Sequence, residues 1–189
     1  MKRNLLNLLL SALLATVFFS CTKPIEESIL GRYHFKMSGN LTFLNIQTCL
    51  DDDNAQPDTI GYVGYLLVSQ SGQMKILGNG DRYIVNMSVM LGGNAFSFDA
   101  TLHGDTLRLN PDEAVIGIVP EGSSTTLLSI GTPVLLTMDG NGVMHDQTIM
   151  FDINLSGGFS TLNQINGKNY INEYTVVGNN VICIADKED

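Results

Sequence analysis

The run YIVNMSVMLGGNAFSFDATLHGDTLRL, residues 83–109, decides the fold class. Tyr83, Val85, Met87, Val89 and Leu91 fall on one face of an extended chain. Phe96, Phe98, Ala100 and Leu102 repeat the pattern, with Ser97, Asp99, Thr101 and His103 opposite. A period of two is the signature of a strand with one buried face; a helix would repeat every three to four residues. Gly92-Gly93-Asn94 and His103-Gly104-Asp105 separate the runs with residues suited to tight reversals, and Leu107 and Leu109 open the next strand.

The same alternation extends outward. Tyr33, Phe35 and Met37 oppose Arg32, His34 and Lys36, and Ile149, Phe151, Ile153 and Leu155 oppose Thr148, Asp152 and Asn154. Gly78-Asn79-Gly80-Asp81, Asp139-Gly140-Asn141-Gly142, Ser156-Gly157-Gly158, Asn166-Gly167 and Gly178-Asn179-Asn180 read as hairpin or bulge connections. For Asp139–Asp146 the expectation is a hairpin turn. The pattern predicts one all-β domain over 30–189, about eight to ten antiparallel strands closed as a barrel, with a two-sheet sandwich as the alternative. Segment 62–68 is apolar on both faces, which predicts a central or covered strand. Asn110-Pro111-Asp112-Glu113 carries an N-cap, a Pro at the first helical position and an acid behind them, which predicts one turn of helix.

The N-terminus has a different character. Lys2 and Arg3 precede an apolar run from Leu5 to Phe19, the layout of a signal helix over 1–20. The run is shorter than the roughly 20 residues of a membrane span. It ends Val17-Phe18-Phe19-Ser20-Cys21, which resembles the bacterial lipobox in its looser Bacteroidetes form. That resemblance implies a lipid on Cys21, a tether over 21–29 and attachment to a bacterial outer membrane, on its periplasmic or surface side. Glu26 and Glu27 partly match an acidic surface-export signal of the same lineage.

Composition narrows the partners. The chain has a net charge of −9, and removal of Lys2 and Arg3 makes the remainder more acidic. An acidic surface argues against nucleic acid and against electrostatic docking on anionic lipid, which leaves the acyl chains to hold the membrane. Cys49 and Cys183 could form a disulfide in an exported protein, or stand apart as buried thiols.

No catalytic arrangement emerges. His34, His103 and His145 are scattered, with no Gly-x-Ser-x-Gly elbow and no His-Glu-x-x-His. Asp99 and Asp152 lie on polar strand faces, without further signs of a paired-carboxylate cleft. The acidic stretch 51–58 lacks the spacing and the Glu of a calcium loop. The expectation is therefore a non-enzymatic protein with no metal and no cofactor.

Leu30-Gly31-Arg32-Tyr33 resembles the Gly-x-Trp opening of the calycins, the lipocalin group, with Tyr in place of Trp. Lipobox, tether and a Leu-Gly-x-Tyr strand before a chain of hairpins together resemble calycin-like lipoproteins of Bacteroidetes. The family implies a barrel with room for a small apolar or amphiphilic ligand. The alternative is a surface interaction module, a glycan adhesin or an accessory subunit of a membrane complex, with a solid core and exposed Tyr or Asn on one rim. Asp58-Thr59-Ile60 and Asp105-Thr106-Leu107 match the Bacteroidetes O-glycosylation pattern, which implies Thr59 and Thr106 as acceptors; from the residues alone, a turn Asp before a β-branched strand opener is the better reading.

Overall fold

The computed structural model describes residues 28–79, 82–90, 94–122 and 131–188. The expected signal helix, Cys21 and nearly all of the tether lie outside the described residues, as do Gly80, Asp81, Leu91, Gly92 and Gly93.

Ten strands carry the described residues: β1 Gly31–Cys49, β2 Asp58–Leu67, β3 Gln70–Asn79, β4 Arg82–Val89, β5 Ala95–His103, β6 Thr106–Pro120, β7 Thr132–His145, β8 Thr148–Ser156, β9 Gly158–Ile165 and β10 Lys168–Lys187. All belong to one antiparallel sheet, rather than the two sheets of a sandwich. The ten segments form eight lines. β2 and β3 run end to end along β1, facing residues 40–47 and 31–37 in turn. β8 and β9 run end to end along β10, joined at Gly157, whose φ of 103° only glycine adopts readily. Each line pairs with the next in sequence, and β1 pairs with β10 along its whole length, so the circuit of hydrogen bonds closes.

The circuit narrows along its length. Above the short β4–β5 hairpin, β2 pairs directly with β6 through Tyr65–Leu67 and Ile118–Pro120. Beyond Phe43, the paired strands that continue are β2, β1, β10 and β9. These four strands make a tip at the opposite end of β1 from the N-terminus.

The interior is filled. Tyr33, Phe35, Met37, Phe98, Leu107, Ile116, Met138, Phe151 and Cys183 belong to one continuous cluster of buried side chains. At roughly 25 cal/mol per Å² of apolar area, each large side chain withdrawn from water contributes about 1.5–3 kcal/mol. At the lower end, the Tyr33 hydroxyl donates to the Ile29 carbonyl at 2.6 Å, and the Lys187 ammonium lies 5.8 Å from the Tyr33 ring centre.

Several local expectations are corrected. Asn110–Glu113 is strand, not helix: residues on both sides pair with β7, and the register shifts between Leu109 and Asp112. Pro111 sits in that bulge, where its missing N–H costs no ladder bond. Asp139-Gly140-Asn141-Gly142 lies inside β7, and the reversal comes later, at Asp146-Gln147. Gly142 is there for space, since a Cβ would meet the Phe151 ring at 2.4 Å. Segment 62–68 is central only where β2 also pairs with β6; Tyr62 is 75% and Leu66 39% exposed.

Both remaining cysteines are free thiols. Their strands are neighbours, but Cys49 faces Tyr170 while Cys183 faces Met37, twelve residues back along β1. At about 3.3 Å per residue that is roughly 40 Å, far beyond the reach of a disulfide within one chain.

Candidate functional site

The inward side chains of the circuit form one buried core, and exposed features lie on the outer wall and at the tip. Three surface grooves open on the outer wall. One is bordered by Arg32, Lys75, Asn86 and Ser97, a second by His34, Lys36, Ile184 and Asp186, and a third by Asn141, His145, Met150 and Asp152. These grooves are open and lined by exposed polar side chains beside core residues such as Met74, Phe35 and Phe151.

The tip is built differently. β2 and β9 are separated by two strands, about 14 Å across a flat sheet. Yet the Tyr65 ring on β2 and the Phe159 ring on β9 lie 6.2 Å apart between centres. Tyr65 lies where β2 still pairs with β6, so the two rings meet at the base of the tip, where the sheet curves round. Phe43 meets Tyr65 and Phe159 edge-on at 5.3 Å each, and Tyr174 stacks on Phe159 at 4.7 Å. These four rings form a plug between the filled interior and the tip. Phe43 is fully buried; Tyr65, Phe159 and Tyr174 remain half-buried. Burial, more than the neighbouring Tyr174 phenol, raises the Tyr65 phenol above its usual range.

Past the plug the inner face turns polar. Asn45 and Asn172 continue the face of Phe43 and Tyr174, and they are 6% and 2% exposed. The Gln47 side-chain amide donates to the Asn172 side-chain oxygen, Oδ1, at 2.9 Å. The Asn45 side-chain oxygen and the Asn172 side-chain nitrogen are buried without a hydrogen-bond partner. Buried polar atoms are rarely left so, because each costs roughly 1–3 kcal/mol.

The outer face of the tip carries apolar side chains among polar ones such as Glu173 and Thr175. Leu44 faces Tyr62 across β1 and β2, and Ile171 faces Leu162 across β10 and β9. Tyr62 is 75% and Leu162 73% exposed. At the rim, Asp51 accepts from the Asn169 backbone at 2.6 Å and from its side chain at 3.2 Å. Those bonds, with the Lys168 charge a lesser cause, hold its carboxyl below the usual range.

The residues singled out from the sequence do not gather. Thr59 is exposed on the tip; Thr106 is half-buried at the other end, its hydroxyl donating to Asp105 at 3.1 Å. Asp99 and Asp152 stand on strands that are not neighbours in the sheet. His103 and His145 are exposed beside separate turns, and His34 lies 3.3 Å from Glu188. Among the described residues no three His, Cys, Asp or Glu side chains are grouped to hold a metal ion. In the acidic loop, the Asp52 carboxylate is engaged by the Asn54 backbone N–H at 2.9 Å. Asn45 and Asn172 were not singled out. The signal was a polar residue on the buried parity of Leu41-Thr42-Phe43-Leu44-Asn45. No family model, curated protein or solved structure matches this chain.

Proposed function

We propose that this chain is an outer-membrane lipoprotein, held by a lipid on Cys21, that binds a partner without catalysing a reaction. In this reading the eight strand lines form a calycin-like barrel, filled by its own side chains and acting as a rigid support. Binding belongs to the tip. The observation that carries this is the contrast between a buried apolar interior and a four-stranded tip with Tyr62 and Leu162 exposed. A small apolar ligand inside the barrel has less support, because the described interior is occupied by core residues.

The geometry favours the same assignment. Cys21 would lie ten residues before Gly31, at the start of β1, while the tip begins past Phe43 on the same strand. The nineteen residues of β1 span roughly 60 Å when extended. A lipid at one end would thus leave the tip directed away from the bilayer. Lipidation is tested by metabolic labelling with a radioactive fatty acid and by membrane fractionation. The wild type should carry label in the membrane fraction, and Cys21→Ser should lose both. The role of the tip is tested by photo-crosslinking on native cells from Tyr62 or Leu162 and, as a control, from Arg108 on β6. Partner adducts from Arg108 alone would refute it.

A further inference from the structure

We infer that the inner face of the tip is a site for one neutral, hydroxyl-bearing ring, of the monosaccharide class; the inference rests on the tip being the binding end. Asn45 faces Tyr174 and Asn172 faces Gln47 in the β1–β10 register, so the two amides are diagonal neighbours on one face. Such neighbours stand about 7–8 Å apart or less, within reach of their side chains. One offers a free acceptor, Asn45 Oδ1, and the other a free donor, Asn172 Nδ2. A hydroxyl is both a donor and an acceptor, so one ligand hydroxyl between them satisfies both atoms. A carboxylate satisfies only the donor and an ammonium only the acceptor.

The surroundings fit the rest of a sugar ring. Tyr65, Phe159 and Tyr174 are half-buried on the same inner face, aromatic surface of the kind that the C–H face of a pyranose packs against. The Tyr65 and Tyr174 phenols, whose rings meet edge-on at 6.3 Å between centres, supply further polar groups. Gln47 and Thr161, which share rungs with Asn172, are uncharged. Both free amide atoms are sealed in this structure, and Gln47 is bonded to Asn172. Gln47 is half-buried and sits nearer the rim. Turning it outward opens the path and frees the Asn172 oxygen for a second ligand hydroxyl.

The test is titration of the soluble domain from residue 22 onward with methyl glucoside, methyl mannoside, methyl galactoside and N-acetylglucosamine, with glucuronate as the charged control. The side-chain amide signals of Asn45 and Asn172 are followed by nitrogen-edited NMR. Contacts to one ring give millimolar binding, so concentrations to about 0.1 M suffice. At least one neutral sugar should shift both amides saturably, with glucuronate several-fold weaker. Asn172→Leu should abolish the response, and Gln47→Ala, which removes the competing donor, should tighten it several-fold. No saturable shift with any neutral sugar, binding unchanged in Asn172→Leu, or glucuronate binding as well as the neutral rings would each overturn the inference. If Asn172→Leu fails to fold, the sign of the Gln47→Ala effect decides instead, and weaker or unchanged binding ends the proposal. Crosslinks from Tyr62 or Leu162 without sugar binding would leave the tip reading standing and remove this one alone.

Discussion

At the scale of single residues, the buried groups that titrate set a limit at high pH. Burial pushes the Cys183 thiol up from 9.0 to about 12, and the Tyr33 phenol from 10.0 to about 12. Both are neutral in the folded protein where their unfolded counterparts would ionise. Their stabilisation is therefore complete below about pH 9 and is lost as pH rises toward 12. For the thiol, three units correspond to a loss on the order of 4 kcal/mol across that window. Cys183→Ala should cost about 1 kcal/mol at pH 7, from the small cavity, and its deficit should shrink or reverse by pH 11. Urea titrations of both proteins at the two pH values measure this; a constant deficit would refute the assignment. Asp51 has the opposite sign. Its depressed carboxyl contributes above its ordinary pKa of 3.8 and loses that contribution as pH falls through the folded value. NMR titration of the Asp51 carboxyl should place its midpoint below 3.8, and Asn169→Pro, which removes the backbone donor, should raise it.

At the scale of elements, the alternation read from the sequence transfers almost residue for residue. Tyr83, Val85, Met87 and Val89 are buried as a set, as are Ile149, Phe151, Ile153 and Leu155. A one-residue slip would expose the whole set, so the hydrophobic pattern and the register constrain each other. Glycine was harder to read, because it serves two purposes. Asn166 and Gly167, with φ of 51° and 80°, form the expected two-residue turn. Gly72 and Gly142 are strand residues instead, where a Cβ would come within 1.9 Å of the Ser88 carbonyl oxygen and 2.4 Å of the Phe151 ring. Sequence alone cannot separate a turn from a close approach. The amides at Asn45 and Asn172 were equally hidden, since nothing local places two distant polar residues on one face above a plug of rings. Two substitutions test the element-level account. Gly142→Ala should cost about 1–3 kcal/mol by overpacking. Pro111→Ala should change stability by no more than about 0.5 kcal/mol, because residue 111 is exposed and lies outside the β6–β7 ladder. Thermal unfolding distinguishes them, and similar losses at both sites would contradict the bulge.

At the scale of the whole molecule, closure and taper divide the chain into parts of unequal stability. In the lower circuit every strand line has two paired neighbours, whereas the free edges of β2 and β9 at the tip have only one. Few large side chains are withdrawn from water beyond Phe43, and β9 has no fully buried residue. Openings that expose little buried surface require less free energy than global unfolding. The amides of residues 46–49 and 168–172 should therefore exchange through local opening, while those of Met37 and Cys183 should exchange only on global unfolding. Phe43 joins the two parts, being fully buried and edge-on to Tyr65 and Phe159. Phe43→Ala should cost about 3–5 kcal/mol in global stability and raise exchange at Asn45 and Asn172 more than at Cys183 once that global loss is subtracted. Native-state hydrogen exchange on wild type and variant measures both quantities. Equal protection of tip and circuit in the wild type would mean that the four-stranded end is no weaker than the closed part. The tip could not then open by itself to admit a ligand, and access would have to come from movement of Gln47 alone.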